Sequence, residues 1–132
     1  MHTLNTSACS FPLEAFLLKH LNQLLAQYPN ASSVTVNYRD PDYSVETGGF
    51  HPVEIRINQG RLDYITDFSF YGSGHYAELG KEIDFDFEQR IFEHMGQAFS
   101  LEAGRELFVI WQGNFISYLK MELFDITLSV EP

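Results

Sequence analysis

Apolar positions along the chain change period several times, and each change marks an element. Leu13, Phe16, Leu17, Leu21, Leu24, Leu25 and Tyr28 recur three and four residues apart, the spacing of one face of a helix. Ser10 can cap that helix, Pro12 is tolerated in its first turn, and Glu14 favours the positive end of its dipole. Pro29-Asn30 stops it, so a helix is predicted over residues 11–28. The period then drops to two. Val34, Val36 and Tyr38 alternate with polar residues, as do Val53, Ile55 and Ile57. Asn58-Gln59-Gly60 is a tight connection to a hairpin partner, in which Leu62, Tyr64, Thr66, Phe68 and Phe70 alternate with Asp63, Ile65, Asp67, Ser69 and Tyr71. Gly72-Ser73-Gly74 breaks that run. Ile83, Phe85 and Phe87 alternate with Glu82, Asp84, Asp86 and Glu88, and a short strand over 90–95 pairs back through Glu88-Gln89, a single long strand being the competing reading.

Ser100 and Glu102 read as the start of a second helix, with Leu107, Phe108, Trp111, Phe115, Tyr118 and Leu119 on its apolar face. Gly104 and Gly113 lie inside it at a cost of about 1 kcal/mol each, which points to close backbone approach at one or both. Phe124, Ile126, Leu128 and Val130 then alternate to the end and are expected to face a covered core. The order is α-β-β-β-β-β-α-β. This predicts an α+β fold: a twisted antiparallel β-sheet flanked by an N-terminal and a C-terminal helix. A single domain over 11–132 follows, with 1–10 as a flexible tail.

Composition sets limits on this picture. At 132 residues and 45% hydrophobic, with twelve Phe, seven Tyr and one Trp, the chain can bury a full core and is not disordered. Cys9 is the only cysteine, so no disulfide framework exists within the chain. The net charge of −10 disfavours nucleic acid and anionic membranes and favours a protein partner with a basic surface. No basic leader precedes Lys19 and no apolar run is long enough to span a membrane, so the cytoplasm is the default location. The wide apolar helix faces and many aromatics suggest a homo-oligomer, dimer or trimer.

Two segments carry candidate chemistry. The connection from Arg39 to Pro52 gathers Arg39, Asp40, Asp42, Tyr43 and His51 in a length that is often functional. A calcium-loop reading fails, because Val45 stands where the turn glycine belongs and His51 where the bidentate Glu belongs. Asp-Pro-Asp and Gly-Gly are also ordinary turn chemistry, and Asp40 can cap the loop or pair with Arg39. The second segment is Glu82, Asp84, Asp86 and Glu88, four carboxylates that period-two spacing places on one sheet face, with Asp63 and Asp67 extending it. That row reads either as a solvated face or as a binding surface. His2, His20, His51, His75 and His94 have no metal-ligand spacing, and no metal or cofactor is expected. Ser73 is not in a nucleophile elbow, no phosphate-binding or dinucleotide fingerprint exists, and Trp111 reads as core.

The segment Asn37-Tyr38-Arg39-Asp40-Pro41-Asp42-Tyr43-Ser44, followed by Gly48-Gly49-Phe50-His51-Pro52-Val53-Glu54-Ile55-Arg56, resembles a small bacterial domain-of-unknown-function family of vibrios and related marine bacteria, often found on genomic islands. Tyr64-Ile65-Thr66-Asp67-Phe68, Lys81-Glu82-Ile83-Asp84-Phe85, Gly104-Arg105-Glu106-Leu107 and Asn114-Phe115 extend the resemblance over residues 11–130. That family is similar in fold to the acidic mitochondrial matrix glycoprotein that binds complement. The resemblance implies a strongly twisted antiparallel sheet flanked by helices, and a ring-shaped trimer with an acidic face. It brings no catalytic residues. The expected function is therefore an acidic, non-enzymatic protein-interaction domain. The alternatives are a small-ligand binder or enzyme built on the 39–52 loop, and an acidic nucleic-acid mimic.

Overall fold

The computed structural model describes residues 3–72 and 77–132. The Gly-Ser-Gly reading at Ser73, and those at His2 and His75, fall outside them. The elements run α1 (Ala15–Ala26), β1 (Ser33–Arg39), β2 (Val53–Asn58), β3 (Arg61–Tyr71), β4 (Glu78–Asp86), β5 (Ile91–His94), β6 (Gln97–Ser100), α2 (Arg105–Lys120) and β7 (Asp125–Glu131). All seven strands form one antiparallel sheet in the order β6-β5-β4-β3-β2-β1-β7. The α+β class and the helix-flanked sheet are as the periodicity predicts. No helix among the described residues is long and apolar enough to cross a membrane.

Both helices lie on one face of the sheet. Leu17, Leu21 and Leu25 of α1 and Phe108, Trp111, Phe115 and Ile116 of α2 share one buried cluster with Val34, Val36, Tyr38, Ile55, Ile57, Ile65 and Phe85. Phe85 and Phe108 meet edge to face at 5.1 Å, and Trp111 stacks on Phe115 at 4.9 Å. Each fully buried large side chain contributes about 1.5–3 kcal/mol. The other sheet face carries the alternate residues of every strand and has no helix on it.

Several local expectations are corrected. Helix α1 starts at Ala15, not residue 11, and Ser10 does not cap it. Its end is held from outside instead: the Glu14 N–H donates to Gln112 Oε1 at 2.9 Å, and Phe11 is buried in the core. Within the stretch expected as a flexible tail, Leu4 is buried at 5% exposure and the Asn5 N–H donates to the Gly60 carbonyl at 2.7 Å. Ser100, read as the cap of the second helix, instead ends a strand, Gln97–Ser100, that the periodicity does not predict. Met95 (φ 51°) and Gly96 (φ 84°) turn β5 back into β6, and a 3-10 turn, Leu101–Gly104, precedes α2. Strand β7 lies at the sheet edge, so its apolar side is only half covered. Phe124 and Leu128 pack on the core, whereas Ile126 and Val130 are each 38% exposed.

Two bulges reset the alternation. Arg56 pairs with Tyr64 but Ile57 pairs with Leu62, which leaves Asp63 as the extra residue. Leu62 and Ile65 therefore both face the helices, while Tyr64 and Thr66 face away. In the next ladder Asp67 pairs with Ile83 and Phe68 with Lys81, which leaves Glu82 as the extra residue.

Candidate functional site

The second bulge builds the site. Asp67 stands in phase with Ile65 and Val53, on the helix side of β3, directly opposite Ile83. Its Oδ2 accepts the Trp111 Nε1–H at 2.9 Å. Its Oδ1 lies 2.9 Å from His51 Nδ1, and Glu82 Oε2 reaches the same nitrogen at 2.9 Å. His51 lies two residues before the start of β2, so the entry to β2 meets β3 and β4 here. The hydrogen bond that His51 donates to Asp67 lifts the imidazole above its ordinary value; partial burial opposes this, and the charges of Asp67 and Glu82 add to the lift.

Beside this cluster a cleft of about 290 Å³ opens between the 49–51 backbone and α2. His51 and Asp67 form its polar end, and Phe50, Trp111, Phe115 and Tyr118 supply most of its aromatic wall. The Phe50 and Tyr118 rings meet at 4.6 Å. The chain thus places a histidine and a carboxylate at the end of an apolar, aromatic slot, the usual composition of a small-ligand site.

The residues singled out in the 39–52 connection divide. Tyr43 comes within 5.4 Å of the His51 ring and stacks on Phe70 at 5.0 Å. Its hydroxyl accepts the Phe70 N–H at 3.2 Å, which fastens the loop along the free edge of β3. Asp40 is structural: Oδ1 accepts the Asp42 N–H at 2.9 Å and Oδ2 the Phe50 N–H at 3.0 Å. A Cβ at Gly49 would lie 2.9 Å from Asp40 Oδ2, and its φ of +125° suits only glycine. Asp42 is exposed. Arg39 is exposed at the end of β1, opposite Asp125, and forms no ion pair among the described residues.

The acidic row does not share one face. Glu82, displaced by the bulge, turns to His51 on the helix side. Asp84 and Asp86 lie on the opposite face, beside Thr66 and Tyr64. Asp84 is buried, its Oδ1 accepting the Thr66 hydroxyl at 2.7 Å while Lys81 Nζ stands 3.6 Å from Oδ2; burial raises its carboxyl above the usual range. Asp86 accepts the Gln89 N–H at 2.8 Å, and Glu88 is exposed in that turn. Asp63 joins the open face through Arg56, 3.3 Å away, and is raised by burial and by the charges of Glu88 and Asp86. Asp67 does not join that face.

Sequence reasoning missed Asp67 and Trp111 as partners. The one available signal was phase: once Ile65 is taken as core-facing, Asp67 two residues on must bury a carboxylate that needs a donor.

With this geometry in hand, likeness to known proteins becomes informative. A family described as "Protein of unknown function (DUF2787)" matches residues 12–129. The chain belongs to that family. Two solved structures from Vibrio cholerae share its fold. The hypothetical protein VC0508 of the VSP-II pathogenicity island is 33% identical, with a TM-score of 0.82 over 96% of this chain and 99% of its own. The conserved hypothetical protein VC1805 of pathogenicity island VPI-2 is 33% identical, with a TM-score of 0.79 over 92% of this chain and 97% of its own. VC1805 is described as sharing structural homology with the human P32 protein. No curated protein matches the chain.

Proposed function

We propose that this DUF2787 member is a non-enzymatic protein-interaction domain that presents its open sheet face to a basic partner. The observation that carries the reading is the asymmetry of the sheet. One face is closed by both helices. The other is bare and holds Glu54, Asp63, Asp86, Glu93, Asp125 and Glu131 against Arg39, Arg56 and Lys81. A face of net negative charge steers an oppositely charged partner and raises its association rate. The likeness of VC1805 to human P32 supports the same reading. The domain works in the cytoplasm and self-associates as a dimer or trimer; Val109 and Ile110 on the outer side of α2, 60% and 62% exposed, supply apolar surface for that contact.

The test is affinity capture from the bacterial host with wild type and an Asp86→Lys/Glu93→Lys variant, at about 0.05 and 0.5 M salt, where exposed charges pass from weak to strong screening. Recovery of a basic partner should fall at least tenfold with either change. Equal recovery under all four conditions removes the acidic face as the binding surface. A DNA-binding protein as the captured partner would make the domain a nucleic-acid mimic. A second reading, small-ligand binding at the 39–52 loop, is favoured by the convergence of His51 and Asp67 on the aromatic cleft.

A further inference from the structure

We infer that His51, Asp67 and Glu82 form a binding site for one borderline divalent cation of the Zn²⁺ or Co²⁺ class. The inference needs no organic ligand in the cleft and stands apart from the acidic-face reading.

His51 Nδ1, a carboxylate oxygen of Asp67 and one of Glu82 all lie within 4.8 Å of one another. The nitrogen is 2.9 Å from each oxygen. Metal bonds of about 2.1 Å at angles of about 90–109° hold two donors roughly 3.0–3.4 Å apart. Each His51–carboxylate pair therefore needs to part by only a few tenths of an ångström to admit a cation between them. A single Nδ1 proton must be shared between two carboxylates, whereas a cation satisfies all three donors at once. With neutral imidazole the set carries two negative charges, which a divalent ion balances. No Lys or Arg pairs with Asp67 or Glu82 among the described residues, so no resident cation occupies that role.

The surroundings are those of a held ligand rather than of a loose acidic patch. The second Asp67 oxygen is fixed by the Trp111 indole N–H at 2.9 Å, which leaves Oδ1 aimed at the site. Such outer donors orient metal ligands and tune their affinity. Among the described residues three protein donors are supplied, and the cleft adjoins two of them, His51 and Asp67. The ion would keep open positions on that side for water or a donor ligand, the arrangement of reactive rather than purely structural sites. One imidazole with two carboxylates suits a borderline ion better than Mg²⁺ or Ca²⁺, which prefer oxygen donors throughout.

The chain has one tryptophan, and it hydrogen-bonds a proposed ligand. Paramagnetic Co²⁺ in the site should therefore quench its fluorescence saturably, with calorimetry of the full chain against Zn²⁺ giving one ion per chain. Glu82→Gln preserves shape and should weaken Zn²⁺ binding at least tenfold, as should His51→Ala; the pair keeps the result interpretable if one variant folds poorly by circular dichroism. Asp86→Asn/Glu93→Gln, on the other sheet face, should bind Zn²⁺ as wild type does. Absence of saturable binding would overturn the inference. So would binding that survives Glu82→Gln in a folded protein, or that is lost in the open-face variant.

Discussion

At 5% exposure, Asp84 accepts the Thr66 hydroxyl at 2.7 Å and faces Lys81 across 3.6 Å. Burial raises its carboxyl, so the fold holds its proton more tightly than the unfolded chain does. That contribution is present below the ordinary carboxylate value and fades as pH rises through the folded one. Asp84→Asn keeps an acceptor for Thr66 and should change stability at neutral pH by less than about 1 kcal/mol. Asp84→Lys sets a second ammonium beside Lys81 and strands the Thr66 hydroxyl; its urea midpoint should fall by the equivalent of about 3–5 kcal/mol. An unchanged midpoint would contradict the buried placement. His20 has the opposite sign. Its Nε2 stands 2.9 Å from the hydroxyl of Tyr38, which is fully buried, and burial lowers the His20 value while pushing Tyr38 far above its own. Stability tied to neutral His20 is present above about pH 6.5 and is lost as pH falls through the folded value. Between about pH 7 and pH 5 the urea midpoint of wild type should therefore fall further than that of His20→Gln. Parallel curves would show that His20 does not titrate with folding.

Two glycines that look alike in sequence differ in place: Gly104 ends the 3-10 turn before α2 and Gly113 lies inside α2. A Cβ on Gly104 would meet the Phe92 ring at 2.7 Å, whereas one on Gly113 would meet nothing within 4 Å. Gly104→Ala must push the aromatic stack of Phe92 on Phe85, 5.5 Å apart, and should destabilise by about 1–3 kcal/mol. Gly113→Ala should stabilise by up to about 1 kcal/mol through helix propensity. Thermal melts of the two variants should move in opposite directions. The edge strand β7 gives a third element-scale expectation. Ile126 is 38% exposed, so Ile126→Ala should cost about 1 kcal/mol, below the roughly 2–5 of a buried site. Periods of 3.6 and two made α1, α2 and most strands legible, because each buries one face. Strand β6 was hidden because all four of its residues are exposed and leave no alternation. The candidate site was legible in part. Loop length and turn chemistry drew attention to Tyr43 and His51, but the bulge that turns Glu82 away from Asp84 is a property of pairing between strands. No local pattern encodes it.

Across the whole molecule, one face of the sheet concentrates apolar contact and the other concentrates negative charge. The chain carries a net −10, and on the open face the charges of Glu88 and Asp86 help raise Asp63 while Arg56 opposes them. Asp84 and Glu93 stand directly opposite each other across β4 and β5. Like charges so placed destabilise a sheet, and a net charge far from zero strains the compact state. Added salt shortens the Debye length from about 30 Å at 0.01 M to roughly 6 Å at 0.3 M and should relieve that strain. Relief of about 1 kcal/mol corresponds to a rise of roughly 3–6 °C in Tm for a domain of this size. The Asp86→Asn/Glu93→Gln variant has lost part of the repulsion in advance. It should melt higher than wild type at low salt and gain less on addition of sodium chloride. Calorimetric scans of both proteins at the two salt levels decide the matter. If salt lowered Tm, the few cations, Arg56 between Asp63 and Glu131 foremost, would be holding the face together by attraction, with ion pairs outweighing the surplus of carboxylates.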